Sequence, residues 1–180
     1  MTVKSGRYTN AHWVPSPNFG VRPPNARIRL VVVHNISLPP GEFGGGYVQR
    51  FFQNQLPAGD HPFFESIVDL KVSSHLLIDR AGQVTQFVSF DDCAWHAGVS
   101  EWHGEANCND FSIGIELEGA DHIPYTNDQY DALITVIRCL QEAYPDIDSE
   151  AVTGHEHIAP GRKTDPGPAF DWNRLSQGLM

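Results

Sequence analysis

Ile28-Arg29-Leu30-Val31-Val32-Val33-His34-Asn35 is the stretch on which the fold turns. A β-branched apolar run of this length reads as a strand covered on both faces, the kind that sits inside a sheet with other elements packed over it. His34 stands where the apolar run stops, at the carboxyl end of that strand. Ligands of open α/β sheets gather at such ends.

A second strand is legible in Ser112-Ile113-Gly114-Ile115-Glu116-Leu117-Glu118, where Ile113, Ile115 and Leu117 take one face and Ser112, Gly114, Glu116 and Glu118 the other. A polar face ordinarily meets solvent. Glycine inside a strand, however, often marks close approach of a ligand or another backbone, which makes Glu116 a candidate acid/base as well as a solvated residue.

Val152 and Thr153 read as a short strand delivering Gly154-His155-Glu156-His157-Ile158-Ala159-Pro160-Gly161-Arg162-Lys163-Thr164-Asp165-Pro166-Gly167-Pro168. Its three prolines and three glycines predict a shaped loop, poor as helix or regular strand. Two neutral imidazoles and a carboxylate are the ligands a catalytic zinc uses when one position stays open. His155 and Asp165 offer two of them, and His34 is a candidate for the third; His157 leaves His155 with His157 as an alternative pair. In an extended segment Lys163 would point the same way as Asp165, so a fixed cation and a metal ligand would face one site.

The rest of the chain supports these strands. Residues 1–27, with prolines at 15, 17, 23 and 24, predict an irregular arm. Residues 38–46 form a loop without a phosphate-binding pattern. Tyr47 to Phe52 suits a short helix, and residues 57–71 carry no clear assignment. Val72–Ile78 and Gln83–Val88 flank Asp79-Arg80-Ala81-Gly82 and predict a β-hairpin, with His75 in its first strand as a satisfied structural histidine. Cys93-Ala94-Trp95-His96-Ala97-Gly98 reads equally as a pocket wall and as a loop anchored by a buried tryptophan. Thr126-Asn127-Asp128-Gln129 is a capping box opening a helix with apolar positions at Tyr130, Leu133, Ile134, Ile137, Leu140 and Tyr144, ended by Pro145.

One chain of 180 residues, 41% hydrophobic and 19% charged, suits a single globular domain over residues 1–180. The formal charge of −10, with no Lys/Arg run, argues against nucleic acid as a partner. No stretch approaches the roughly 20 apolar residues of a membrane span, and the N-terminus lacks the apolar core of a secretory signal, so the expected location is cytoplasmic. Cys93, Cys108 and Cys139 form no CxxC pair and read as free thiols of a reducing compartment. Nothing in the sequence sets an oligomeric state.

Several segments together match one family. Val33-His34-Asn35, Ala94 through Gly98, Asn109 through Gly119, Gly154-His155 and Ile158 through Trp172 resemble the zinc-dependent N-acetylmuramoyl-L-alanine amidases of the AmpD type, related more distantly to phage amidases and peptidoglycan recognition proteins. The resemblance implies an α/β domain with a central mixed β-sheet flanked by helices. It implies Zn2+ held by His34, His155 and Asp165, and catalytic roles for Glu116 and Lys163. Asn35, Trp95, His96 and Arg162 become candidates for holding substrate. The implied substrate is a small muropeptide, cut between the lactyl carbonyl of (1,6-anhydro-)N-acetylmuramic acid and L-alanine during cell-wall recycling, with an indirect effect on β-lactamase induction. A pure binding module on this fold would be marked by loss of a ligand, of Glu116 or of Lys163, and all are present; a zinc hydrolase of another small amide is the further reading.

Overall fold

A computed structural model describes residues 1–180. The apolar run becomes the inner strand β2 (Leu30–Ile36) of a six-stranded sheet whose other members are β1 (His12–Trp13), β3 (Leu76–Ile78), β4 (Val84–Gln86), β5 (Ser112–Glu118) and β6 (Val152–Gly154). The order across the sheet is β6-β2-β5-β3-β4-β1, with every neighbouring pair parallel except the β3–β4 hairpin. This is the expected mixed sheet.

Alternation along the strands divides the side chains between two covered faces. On one face Val31, Val33, Ile113, Ile115 and Leu117 pack with helix residues Leu133, Ile137 and Leu140 into the main core. Those belong to a 17-residue helix, α3 (Asn127–Ala143), which opens on the expected capping box: Thr126 Oγ1 accepts from Gln129 N, and Gln129 Oε1 accepts from Thr126 N, each at 3.1 Å. Gln129 Nε2 also donates to the Glu118 carbonyl at 2.9 Å, so the cap ties the helix start to the end of β5. On the other face Leu30 and Val32 pack against Ala97, Phe111 and Ile158, while Leu77 meets Phe52, Phe64 and Phe87. Burying each of the valine, leucine, isoleucine and phenylalanine side chains contributes about 1.5–3 kcal/mol. The polar residues of β5 lie on this second face, and all seven residues of the strand are buried.

The structure corrects several expectations. The N-terminal arm is not irregular throughout: Val3–Lys4 pairs with Arg7–Tyr8, His12–Trp13 forms an edge of the sheet, and Phe19–Val21 pairs with Asp92–Ala94. The hairpin strands are shorter than expected, so His75 precedes β3 instead of lying in it. Its structural reading stands: His75 Nδ1 accepts from Gly114 N and Nε2 donates to the Asp92 carbonyl, both at 3.1 Å. The helix expected at Tyr47–Phe52 is present as α1, and a turn of helix, α2 (Pro62–Glu65), fills part of the unassigned stretch. The proline-rich segment after β6 opens with one helical turn, α4 (His155–Ile158), before it becomes loop. A final helix, α5 (Trp172–Leu179), closes the chain against α3.

Candidate active site

The pairing of β2 with β5 brings the chemistry together. In this parallel register His34 lies directly beside Glu116, and register partners share a face. β6 pairs with the opposite edge of β2 and ends at Gly154, so His155 begins α4 next to His34. The loop that follows returns Asp165 to the same point. It is held there by Glu156 N donating to the Asp165 carbonyl at 2.9 Å, and by Tyr125 Oη and Asn35 Nδ2 donating to the Pro166 carbonyl at 2.7 and 3.1 Å. Gly167, at φ +79°, passes so close to the Asp121 backbone that a side chain there has no room.

Three donor atoms converge. His34 Nδ1 and His155 Nδ1 are 3.0 Å apart, and Asp165 Oδ2 lies 3.1 Å from the first and 3.0 Å from the second. A tetrahedral site with bonds of about 2.0–2.2 Å has donor–donor edges of roughly 3.3–3.6 Å, so a slight outward movement fits these three around one cation. The charge states of His34 and Asp165 suit that role. Burial lowers the pKa of His34 to about 4, only partly offset by Asp165, which keeps the imidazole neutral. Burial pushes Asp165 up, but its close contacts with the His155 and His34 rings win and hold it ionised, well below the usual carboxylate range. Neutral imidazoles and an ionised carboxylate are what a metal requires. His157 stands outside this group: on the helical turn it faces away from His155, its Nδ1 accepts from Gly154 N at 3.3 Å, and its ring leans on Trp172.

Glu116 and Lys163 line the same cavity, which has a volume of about 380 Å³. Glu116 Oε2 is buried with no hydrogen-bond partner. Burial, reinforced by the nearby Asp165 charge, raises its pKa well above the ordinary carboxylate value, while Lys163 pulls it the other way. A carboxyl so placed holds a proton more readily than an exposed one.

The remaining candidates divide. Trp95, 38% exposed, forms part of the cavity wall, so it is not the buried anchor that the sequence equally allowed. His96 and Asn35 also touch the cavity, but their polar atoms are engaged inside the protein: His96 with His34 and Ser112, Asn35 with Asp121 and Pro166. Arg162 lies outside the cavity lining and donates from Nη2 to the Ala97 and Val99 carbonyls, each at 2.6 Å. The sequence reading missed the apolar wall opposite, built by Phe51, Phe52, Phe63, Ile67 and Leu70. The Phe51-Phe52 and Phe63-Phe64 pairs were its only signal: Phe51, Phe52 and Phe64 are buried in the core, while Phe63 is left near the surface.

The sequence model of the N-acetylmuramoyl-L-alanine amidase family matches residues 24–168, which span every donor in this cavity. The chain belongs to this amidase family. It is therefore a hydrolase of carbon–nitrogen amide bonds. The 1,6-anhydro-N-acetylmuramyl-L-alanine amidase AmpD of Escherichia coli (strain K12) is 53% identical over 175 residues, 97% of this chain and 95% of that protein. The Haemophilus influenzae AmpD is 48% identical over 172 residues, 96% of this chain and 94% of its own length. A crystal structure of a selenomethionine AmpD derivative superposes with a TM-score of 0.97 at 49% identity over the full length of both chains. The E. coli amidase AmiD, solved with the substrate anhydro-N-acetylmuramic acid-L-Ala-D-γ-Glu-L-Lys, gives a TM-score of 0.62 at 31% identity, covering 87% of this chain and 60% of that one.

Proposed function

We propose that this amidase cleaves the bond between the lactyl carbonyl of 1,6-anhydro-N-acetylmuramic acid and L-alanine in muropeptides released during cell-wall turnover. The observation that carries the reading is the triangle of His34 Nδ1, His155 Nδ1 and Asp165 Oδ2 beside the unpartnered Oε2 of Glu116. The substrate class follows the relatives: AmpD proteins similar over nearly the whole chain are named for this bond, and AmiD holds such a muropeptide.

His34, His155 and Asp165 are the residues that would hold zinc. When bound, zinc supplies a Lewis acid for the amide carbonyl and lowers the pKa of water towards about 7. Glu116 takes the proton from the attacking water on its carboxylate and returns it to the alanine nitrogen as the C–N bond breaks. Its raised pKa suits both halves of that exchange, because it binds a proton near neutral pH more readily than an ordinary carboxylate. Lys163 offers its charge to the carbonyl oxygen as that oxygen becomes negative. The apolar wall and Trp95 exclude water and hold the substrate against these groups.

The same reading makes the protein a cytoplasmic recycling enzyme whose activity indirectly limits the fragments that induce β-lactamase. No helix is long and apolar enough to cross a membrane. Incubation of the zinc-loaded protein with an anhydro-muropeptide, followed by mass analysis, tests the assignment. Free anhydro-N-acetylmuramic acid and an intact peptide stem are expected. Cleavage within the stem, or no cleavage, would overturn it.

A further inference from the structure

We propose that the dipeptide His96–Ala97 is the positioning element for both histidine ligands, and that His96 sets the tautomer of His34. The proposal rests on the reading that His34 and His155 hold zinc through Nδ1.

An imidazole that binds a cation through Nδ1 must keep that nitrogen free of hydrogen, so its proton belongs on Nε2 and needs an acceptor there. For His155 the acceptor is the Ala97 carbonyl, 3.0 Å from Nε2. A carbonyl can only accept, so the ring orientation and the tautomer are fixed together. For His34 the atom facing Nε2 is His96 Nδ1, at 2.9 Å. A second imidazole can play either role, and its other nitrogen decides which. His96 Nε2 lies 3.1 Å from Ser112 Oγ. With its own proton on Nε2, donated to Ser112, His96 presents Nδ1 as a lone pair to the Nε2–H of His34. One consistent chain then runs from Ser112 through His96 to His34.

The dipeptide is itself held from both sides. Asn109 Oδ1 accepts from His96 N at 3.2 Å and from Ala97 N at 2.8 Å. Arg162 Nη2 donates to the Ala97 carbonyl at 2.6 Å, filling the second lone pair of the oxygen that serves His155, and to the Val99 carbonyl beyond Gly98. Gly98 takes φ +59°, which turns those two carbonyls toward one guanidinium. Beneath the ring of His96 lies Gly114, whose missing side chain makes the space for it. His96 and Arg162 thus act on the ligands and not on the substrate.

Zinc affinity of the reconstituted protein, measured by competition with a fluorescent chelator, provides the test alongside 15N NMR of the zinc-loaded wild type. Loss of an outer partner of a ligating histidine costs about 10–100-fold in metal affinity, and that loss is expected for His96→Leu. His96→Asn should recover most of it, because its Oδ1 comes close to the position of Nδ1 and can accept. In the wild type, His96 should carry its proton on Nε2 and leave Nδ1 bare, a readout independent of how well any variant folds. A proton on His96 Nδ1, or a folded His96→Leu protein with wild-type affinity, would overturn the proposal. Failure of the parent reading looks different: Asp165→Ala would then bind zinc as tightly as the wild type.

Discussion

Gly114→Ala is a one-methyl change that should act on the metal site from inside the sheet. A Cβ at position 114 would fall against Cγ of His96 and within 2.6 Å of its Nδ1 and 2.7 Å of its Cδ2, whereas ordinary contact begins at 3.4 Å. The ring must therefore withdraw by at least about 0.8 Å, since the neighbour on the other side is the rigid backbone of β5. It cannot do so without stretching its bonds to His34 Nε2 and Ser112 Oγ, at 2.9 and 3.1 Å. Each such bond contributes about 1 kcal/mol, and overpacking a filled interior costs about 1–3 kcal/mol. The lower chain entropy of alanine offsets about 0.5–1 kcal/mol of this. A net loss of about 2–4 kcal/mol lowers the melting temperature of a domain this size by about 4–16 °C. Thermal unfolding followed by circular dichroism measures it, and chelator competition on the same samples should show weaker zinc binding. A variant that melts within a degree of wild type, with zinc affinity unchanged, would refute the reasoning and mean that His96 has room to move.

Three further outcomes follow from the site. Glu116→Gln should keep its zinc yet lose about 10²–10⁴ in kcat, read by steady-state kinetics on a muropeptide with zinc measured in parallel; near-native turnover would remove Glu116 as the proton carrier. Lys163→Ala should lose about 10²–10³ in kcat with KM and metal content held, because the charge it meets develops only during reaction; a raised KM at constant kcat would make it a substrate grip instead. The third concerns acid. Burial and the neighbouring Arg22 lower the pKa of His75 from 6.5 to about 3 in the folded protein. Between those values the unfolded chain binds the proton and the folded one does not, so stability is present above pH 6.5 and drains away as pH falls toward 3, by about 1.4 kcal/mol per pH unit. Urea unfolding at pH 7 and pH 5 should show wild type losing about 2 kcal/mol more than His75→Gln; equal losses would show that His75 is protonated inside the fold.

The parts of the molecule written in local pattern were legible and the parts written in pairing were not. The strand through Val31–Val33 and the helix opened by Thr126 announce themselves through a run, a period and a cap, and both stand in the structure. The two- and three-residue strands of the N-terminal arm do not, because His12–Trp13 and Phe19–Val21 become strands only by meeting Thr85–Gln86 and Asp92–Ala94. Glu116 was legible as an unusual carboxylate through Gly114, but its neighbour was not. What approaches that glycine is the ring of His96, neither a ligand nor a backbone. The polar face of β5 resembled a solvated one because nothing in its alternation reveals a covering loop 14 or more residues away. Asn35, His96 and Arg162 carried the right chemistry for gripping a substrate. Only the three-dimensional arrangement shows their partners inside the protein: Pro166, His34 and the Ala97 carbonyl.

The proposed chemistry depends on one zinc ion held by His34, His155 and Asp165 beside Glu116. Anomalous diffraction from zinc-loaded crystals, collected on both sides of the zinc edge, tests it most directly. One zinc peak per chain is expected, about 2.0–2.2 Å from His34 Nδ1, His155 Nδ1 and Asp165 Oδ2. A peak shared by His155 and His157, or none within reach of His34, would contradict it.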